Sequence, residues 1–166
     1  MTRRLILTRH AKSDWHTDLA DHDRPLNARG HRSAAAIGRW LAERGHVPDV
    51  ACLSTAQRVV ETWDGIAPRL GRDVDVVWDR ALYHSSPDTM LDTLSQQSAN
   101  TVMLIAHNPG MGSLAPLLAE EPPQSHAFDR FPTCATLVMD FDRDDWRIEP
   151  LTGRVVDFVV PRDLTD

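Results

Sequence analysis

The sequence predicts an α/β fold: three layers, α/β/α, around a mostly parallel central sheet. Three observations predict it. Short apolar runs recur along the chain, at Leu5–Thr8, Val50–Leu53, Val74–Trp78 and Thr101–Ala106. They are nearly continuous rather than alternating, as expected of strands buried on both faces. Each precedes a segment with apolar residues at helical spacing, and that alternation favours βαβ units over hairpins.

Each element has its own warrant. Leu5-Ile6-Leu7-Thr8 is the first strand, and it ends abruptly in Arg9-His10-Ala11-Lys12-Ser13. Ser13 to Pro25 is polar and rich in Asp and His, so it is expected to be a long loop with one or two residues reaching inward. A helix follows from Asn27 or Ala28 to near Arg44, because Ala34, Ile37, Trp40 and Leu41 share a face and Gly45 is a good terminator. Val50–Leu53 is the second strand, and Ser54 or Thr55 is expected to cap the next helix. That helix turns Val59, Trp63, Ile66, Ala67 and Leu70 inward and ends at Gly71. Val74–Trp78 is the third strand. Ser86-Pro87 starts a helix with Pro in its first turn and Met90, Leu91 and Leu94 inward. Thr101–Ala106 is the most apolar strand and ends in His107-Asn108-Pro109-Gly110. Asn108 is expected to cap, and Pro109 to open, a helix carrying Met111, Leu114, Leu117 and Leu118, with Pro116 kinking or shortening it. Ala135–Phe141 and Arg147–Val160 are late strands around a turn at Asp142–Asp145.

Composition narrows the function. At 166 residues the chain is expected to form one domain, residues 1–166, with a proper core. The net charge of -6 argues against nucleic-acid binding, so any phosphate site must be a local concentration of basic groups. Cys52 and Cys134 are far apart and beside apolar stretches, which suits reduced, buried thiols. Arg3-Arg4 is basic, but Leu5–Thr8 is too short for a signal peptide's apolar region, and no stretch approaches transmembrane length. A cytoplasmic protein without a membrane partner is expected.

The chemistry-bearing residues converge on one edge. Carboxyl ends of parallel strands share an edge, where open α/β sheets bind ligands. Here that edge gathers Arg9 and His10, Arg58 in the first turn of the second helix, and His107 at a helix N-terminus. Arginine presents a permanently charged fork to phosphoryl oxygens, histidine serves as a nucleophile, and a helix N-terminus offers free N–H groups. The set suits a phosphoryl group. The Asp and His residues between Asp14 and Asp23 lack the spacing of a closed zinc site, and no metal or organic cofactor is expected.

Thr8-Arg9-His10-Ala11 resembles the Arg-His-Gly signature of the histidine phosphatase superfamily, also called the phosphoglycerate mutase-like fold. Ala106-His107-Asn108-Pro109-Gly110 is similar to its second-histidine motif, and Ser54–Thr62, with Arg58 and Glu61-Thr62, to its middle arginine segment. The loop Asp21–Gly30, Leu82-Tyr83 before a Ser-Pro helix start, and Phe131-Pro132-Thr133 resemble the small branch of SixA-like phosphohistidine phosphatases. The resemblance implies a phosphoglycerate mutase-like fold with His10 as nucleophile. Arg9, Arg58 and His107 would bind phosphoryl oxygens, with Arg24 as a further ligand. Ala11 and Ala106 replace glycines of the pattern, so neither backbone is expected at positive φ.

The substrate implied is a phosphorylated protein, foremost phosphohistidine, or a small-molecule phosphate. The rival readings are a phosphatase or mutase acting on a small metabolite, and a non-catalytic phosphate-binding module. No general acid is singled out among Asp18, Asp21, Asp23, His84 and Glu120.

Overall fold

The structure is a computed structural model that describes residues 1–165. Six strands form one sheet: β1 (Thr2–Arg9), β2 (Val50–Leu53), β3 (Asp75–Trp78), β4 (Thr101–Ala106), β5 (Thr136–Asp142) and β6 (Arg154–Val159). Their order is β3-β2-β4-β1-β5-β6. The first four run parallel, while β5 joins β1 antiparallel and β6 joins β5 antiparallel. Helices α1 (Ala28–Glu43) and α2 (Gln57–Ile66) cover one face, and α3 (Pro87–Ser95) and α4 (Gly110–Leu118) the other. A single turn, α5 (Arg162–Thr165), follows β6.

The strands divide their side chains between two cores by simple alternation. Leu5, Leu7, Cys52 and Leu104 pack with Met90, Leu94, Met111 and Leu114 of α3 and α4. Ile6, Ala51, Leu53, Met103 and Ile105 pack with Ile37, Leu41, Val59, Trp63 and Ile66 of α1 and α2. Near-continuous apolar runs were needed because both faces are covered. Cys52 and Cys134 are free and buried in these two different cores, and burial pushes both thiols up to about 12. Among the described residues no helix is long and apolar enough to cross a membrane.

Caps follow the expected chemistry at α1, where Asn27 accepts the Gly30 N–H at 2.8 Å, and at α3, where Ser86 accepts the Thr89 N–H at 3.3 Å. Two caps differ. Ala56, not Ser54 or Thr55, is the N-cap of α2 and has no side-chain acceptor to offer, while the Ser54 hydroxyl lies 2.7 Å from His107. Helix α4 begins at Gly110 with Pro109 as N-cap, yet Asn108 still accepts an N–H of the first turn, from Gly112 at 3.0 Å. Pro116 lies inside α4, which ends two residues later. The last strand is shorter than its apolar pattern, Arg154–Val159 rather than Arg147–Val160. Leu151 and Gly153 instead donate to the Leu117 and Leu118 carbonyls at the end of α4, at 2.9 and 2.8 Å, so the segment before β6 pairs outside the sheet ladder. Strand β1 starts earlier than its apolar run, at Thr2, because Arg4 pairs bidentately with Asp140 of β5.

One close approach fixes the loop after β1 against α1. A Cβ at Gly30 would fall on the Lys12 carbonyl oxygen, which also accepts the Asn27 N–H at 3.0 Å. Gly30→Ala is therefore expected to cost about 1–3 kcal/mol, as backbone displacement by overpacking does. Denaturant unfolding measures it; an unchanged midpoint would mean the Lys12 loop yields freely.

Candidate active site

The parallel strands end together, and the site lies on that edge between β1 and β4. The last ladder pair is Arg9 with Ala106, and the His10 N–H extends it to the Ala106 carbonyl at 3.1 Å. The Cys134 N–H donates to both the Arg9 and His10 carbonyls at 3.0 Å. The Ala11 N–H donates to Thr62 Oγ1 at 2.9 Å, and that hydroxyl donates to the Arg58 carbonyl one turn back in α2. The short segment carrying His10 is thus tied to β4, to the segment before β5, and to α2. Neither Ala11 nor Ala106 has positive φ, so alanine is accommodated at both places where the family pattern has glycine.

All five residues predicted for the site line one cavity of about 470 Å³: Arg9, His10, Arg24, Arg58 and His107. Arg24, Arg58, His10 and His107 are buried, and Arg9 is half-buried. The two imidazoles lie 5.1 Å apart, centroid to centroid. His10 Nδ1 is 2.7 Å from the Ala11 carbonyl. Only a protonated Nδ1 makes that bond, which leaves Nε2 with its lone pair free. Burial, joined by the charges of Arg9, Arg58 and Arg24 and opposed by the Ala11 carbonyl, lowers the His10 pKa to about 3. Desolvation is the largest of these causes. Burial, then His10 and Arg58, lower His107 to about 2. Both rings are neutral at pH 7.

Ser54 Oγ accepts the Ala56 N–H at 3.3 Å and lies 2.7 Å from His107 Nε2. Among the described residues the Ser54 hydroxyl has no other acceptor for its proton, so Nε2 accepts it and neutral His107 carries its hydrogen on Nδ1. Among the described residues that Nδ1 is buried without a protein partner, as are Arg9 Nε and Arg58 Nε.

Asp21 organises the arginines. Its carboxylate accepts from Arg24 at 3.1 and 3.2 Å, from Arg58 at 3.1 Å and from the Tyr83 hydroxyl at 2.5 Å. The Tyr83 hydroxyl, Arg24 and Arg58 hold this carboxyl far below its ordinary range, against the effect of burial. Asp21 is therefore an ionised acceptor, and its place among the conceivable general acids is withdrawn. Asp18, Asp23 and Glu120 do not line the cavity; His84 does, at φ 55° and 3.4 Å from Asp21. The loop before Arg24 carries a one-turn 3-10 helix at Asp21–Asp23, and Ser13 receives Arg24 Nη1 at 2.6 Å.

Sequence reasoning did not assign Lys12, Ser13, Trp15, Asn108, Pro132 or Thr133, which also line the cavity. Lys12 had a signal, since it is the chain's only lysine. Trp15 lies with its ring 3.6 Å from the Arg24 guanidinium carbon, a stacking that no local pattern announces. Among the described residues no three or more His, Cys, Asp and Glu side chains are grouped to hold a metal ion.

Comparison with known proteins places this geometry. The profile of the Histidine phosphatase superfamily (branch 1) matches residues 5–83. An uncharacterized protein of Mycobacterium tuberculosis is 32% identical over 161 residues, spanning 93% of this chain and 99% of the relative. The crystal structure of a candidate phosphohistidine phosphatase SixA from Agrobacterium tumefaciens superposes with a TM-score of 0.78 at 30% identity, covering 96% of this chain and 98% of that one. A protein histidine phosphatase SixA complexed with tungstate shares the fold, with a TM-score of 0.79 at 17% identity over 98% and 99% of the two chains. The fold is phosphoglycerate mutase-like.

The depressed histidines make stability depend on pH. A ring whose folded value lies below its unfolded 6.5 binds fewer protons when folded, so its contribution is complete above pH 6.5 and is lost as pH falls toward about 3. Urea unfolding between pH 7 and pH 4 should show a smaller loss for His10→Asn than for the unmodified protein. Equal losses would mean His10 is not held neutral by the fold.

Proposed function

The chain belongs to the histidine phosphatase superfamily and is a phosphatase, and on that premise we propose that it hydrolyses protein phosphohistidine through a phosphoryl group carried on His10. The observation that carries this reading is the neutral His10 ring, with Nδ1 bonded to Ala11 and Nε2 free, beside three arginines in one cavity. Nε2 attacks phosphorus in line: the P–N bond to His10 forms as the bond to the leaving group breaks. Water then attacks the phosphohistidine, inorganic phosphate departs, and neutral His10 is restored.

The remaining residues take supporting roles in this proposal. Arg9 and Arg58, which line the cavity, hold phosphoryl oxygens with their guanidinium forks. His107 donates through Nδ1 to an oxygen, its tautomer set by Ser54. Arg24 adds charge from behind, held by Ser13 and Asp21. Donors aimed in advance at developing charge are worth most in a site closed to water. The cytoplasm is the compartment we assign, in keeping with two buried thiols in separate cores.

The leaving group selects the substrate. An alkoxide needs a proton in the transition state, and general-acid help is typically worth about 10²–10⁴-fold. The one carboxylate lining the cavity, Asp21, is held ionised. Imidazole leaves more easily, because its other nitrogen accepts a proton near neutrality.

Three measurements test the proposal. Rapid quench without acid, followed by mass spectrometry, should find phosphate on His10; phosphate mapped to another residue would sink the assignment. His107→Ala should lower mainly kcat. Across a panel, kcat/KM should be highest for phosphohistidine, intermediate for aryl phosphates and lowest for phosphoserine and sugar phosphates. Alkyl phosphates at or above phosphohistidine would overturn the substrate, and dependence of their turnover on His84 would identify the acid responsible.

A further inference from the structure

A second cavity, of about 540 Å³, opens beside the catalytic one, and Pro132 and Thr133 line both. A third, of about 420 Å³, continues it through shared walls at Arg29, Ser33 and Arg162. The three form one groove leading away from His10. Arg29 and Arg130 line the second cavity, Arg32 lines the third, and Arg162 lines both. None of these four side chains forms an ion pair among the described residues, although seven other arginines of the chain do. Asp129 and Asp163, sequence neighbours of Arg130 and Arg162, line neither cavity. In a chain of net charge -6, four unpaired guanidinium groups in one groove are a local reversal of sign.

We propose that this groove of Arg29, Arg32, Arg130 and Arg162 binds a carboxylate-rich segment of the phosphorylated protein, next to the side chain held at His10. The inference rests on the phosphohistidine-protein reading above. The form of the groove favours an extended acidic segment over a compact polyanion. Its arginines come from three separate elements, α1, the segment before β5, and α5, and all four are exposed. A compact phosphate is gripped by convergent, buried donors, as in the catalytic cavity. Exposed guanidinium groups each contribute little, so recognition needs several at once, spread along the ligand and sensitive to salt.

The test compares two phosphohistidine peptides, one with four flanking glutamates and one with glutamines in their place. Rates are normalised to turnover of an aryl phosphate by the same protein. The acidic peptide should be favoured about ten-fold in kcat/KM, the yield of a few exposed charge pairs. That preference should shrink with salt and disappear in Arg29→Glu/Arg162→Glu. A labelled oligoglutamate, followed by fluorescence anisotropy, should bind the unmodified protein and not the double variant. No preference, or one that survives the double variant, would overturn the proposal. Tighter binding of inorganic tripolyphosphate than of oligoglutamate would also overturn it and give the groove to a small polyanion. Because anisotropy needs no phosphohistidine, oligoglutamate binding without phosphohistidine turnover would support the groove and defeat only the substrate reading. Phosphohistidine turnover without oligoglutamate binding would do the reverse.

Discussion

The site depends on the pairing of β1 with β4. The parallel ladder runs from Arg4 with Thr101 to Arg9 with Ala106, and one more hydrogen bond joins the His10 N–H to the Ala106 carbonyl. Both strands leave the sheet at the same level, so His10 and His107 emerge side by side. Side chains alternate along a strand, and a slip of one residue would exchange the two faces. Leu5 and Leu7 against one helix pair, and Ile6 against the other, make such a slip costly. The same apolar packing that stabilises the sheet therefore fixes the separation of the two imidazoles.

Around that fixed pair the chain assembles a cation-rich cavity. Arg9, Arg24, Arg58 and Lys12 line it against a single carboxylate among the described residues, Asp21. Asp21 reaches Arg24 and Arg58 at once, so it offsets their repulsion and sets their direction. Arg9 gains no such partner; burial and the Arg58 charge lower its pKa. Under the proposed function, a phosphoryl group entering the cavity meets donors already aligned, with little reorganisation left to make.

Much of this was legible in the chain because the relevant signals are local. Apolar runs located the four parallel strands, and their abrupt polar ends located Arg9, His10 and His107. Arg58 followed from its place one turn into a helix after a strand. Arg24 became visible only through resemblance to a family, since its place depends on how a long polar loop folds back onto Ser13 and Asp21. Asp21 looked like one of several loop acids, because its significance lies in contacts with Arg58, 37 residues away, and Tyr83, 62 residues away. Ser54 was taken for a helix cap, the commoner use of such a residue, while the structure gives it to His107. Positive φ at His84, Phe131 and Cys134 carried no glycine to announce it, yet these residues border or support the cavity. Strained backbone of this kind persists where surrounding contacts over-determine it. Here Arg9 and Asn108 both donate to the Phe131 carbonyl.

The neutrality of the two histidines follows from the same crowding. Two imidazoles with centroids 5.1 Å apart, facing three arginines in a buried cavity, cannot both gain a proton without adding like charge to like. Holding them neutral has two consequences that need no further residue. His10 has a free lone pair at neutral pH, so the attack proposed for it requires no separate base. His107 is a hydrogen-bond donor without being a cation, and its tautomer is set by Ser54 rather than by titration. Charge in the site is thus carried by arginines, whose protonation is insensitive to pH, while the histidines supply a lone pair and an oriented N–H. In the proposed reaction this division of labour keeps nucleophile and electrostatic partners from competing for the same proton.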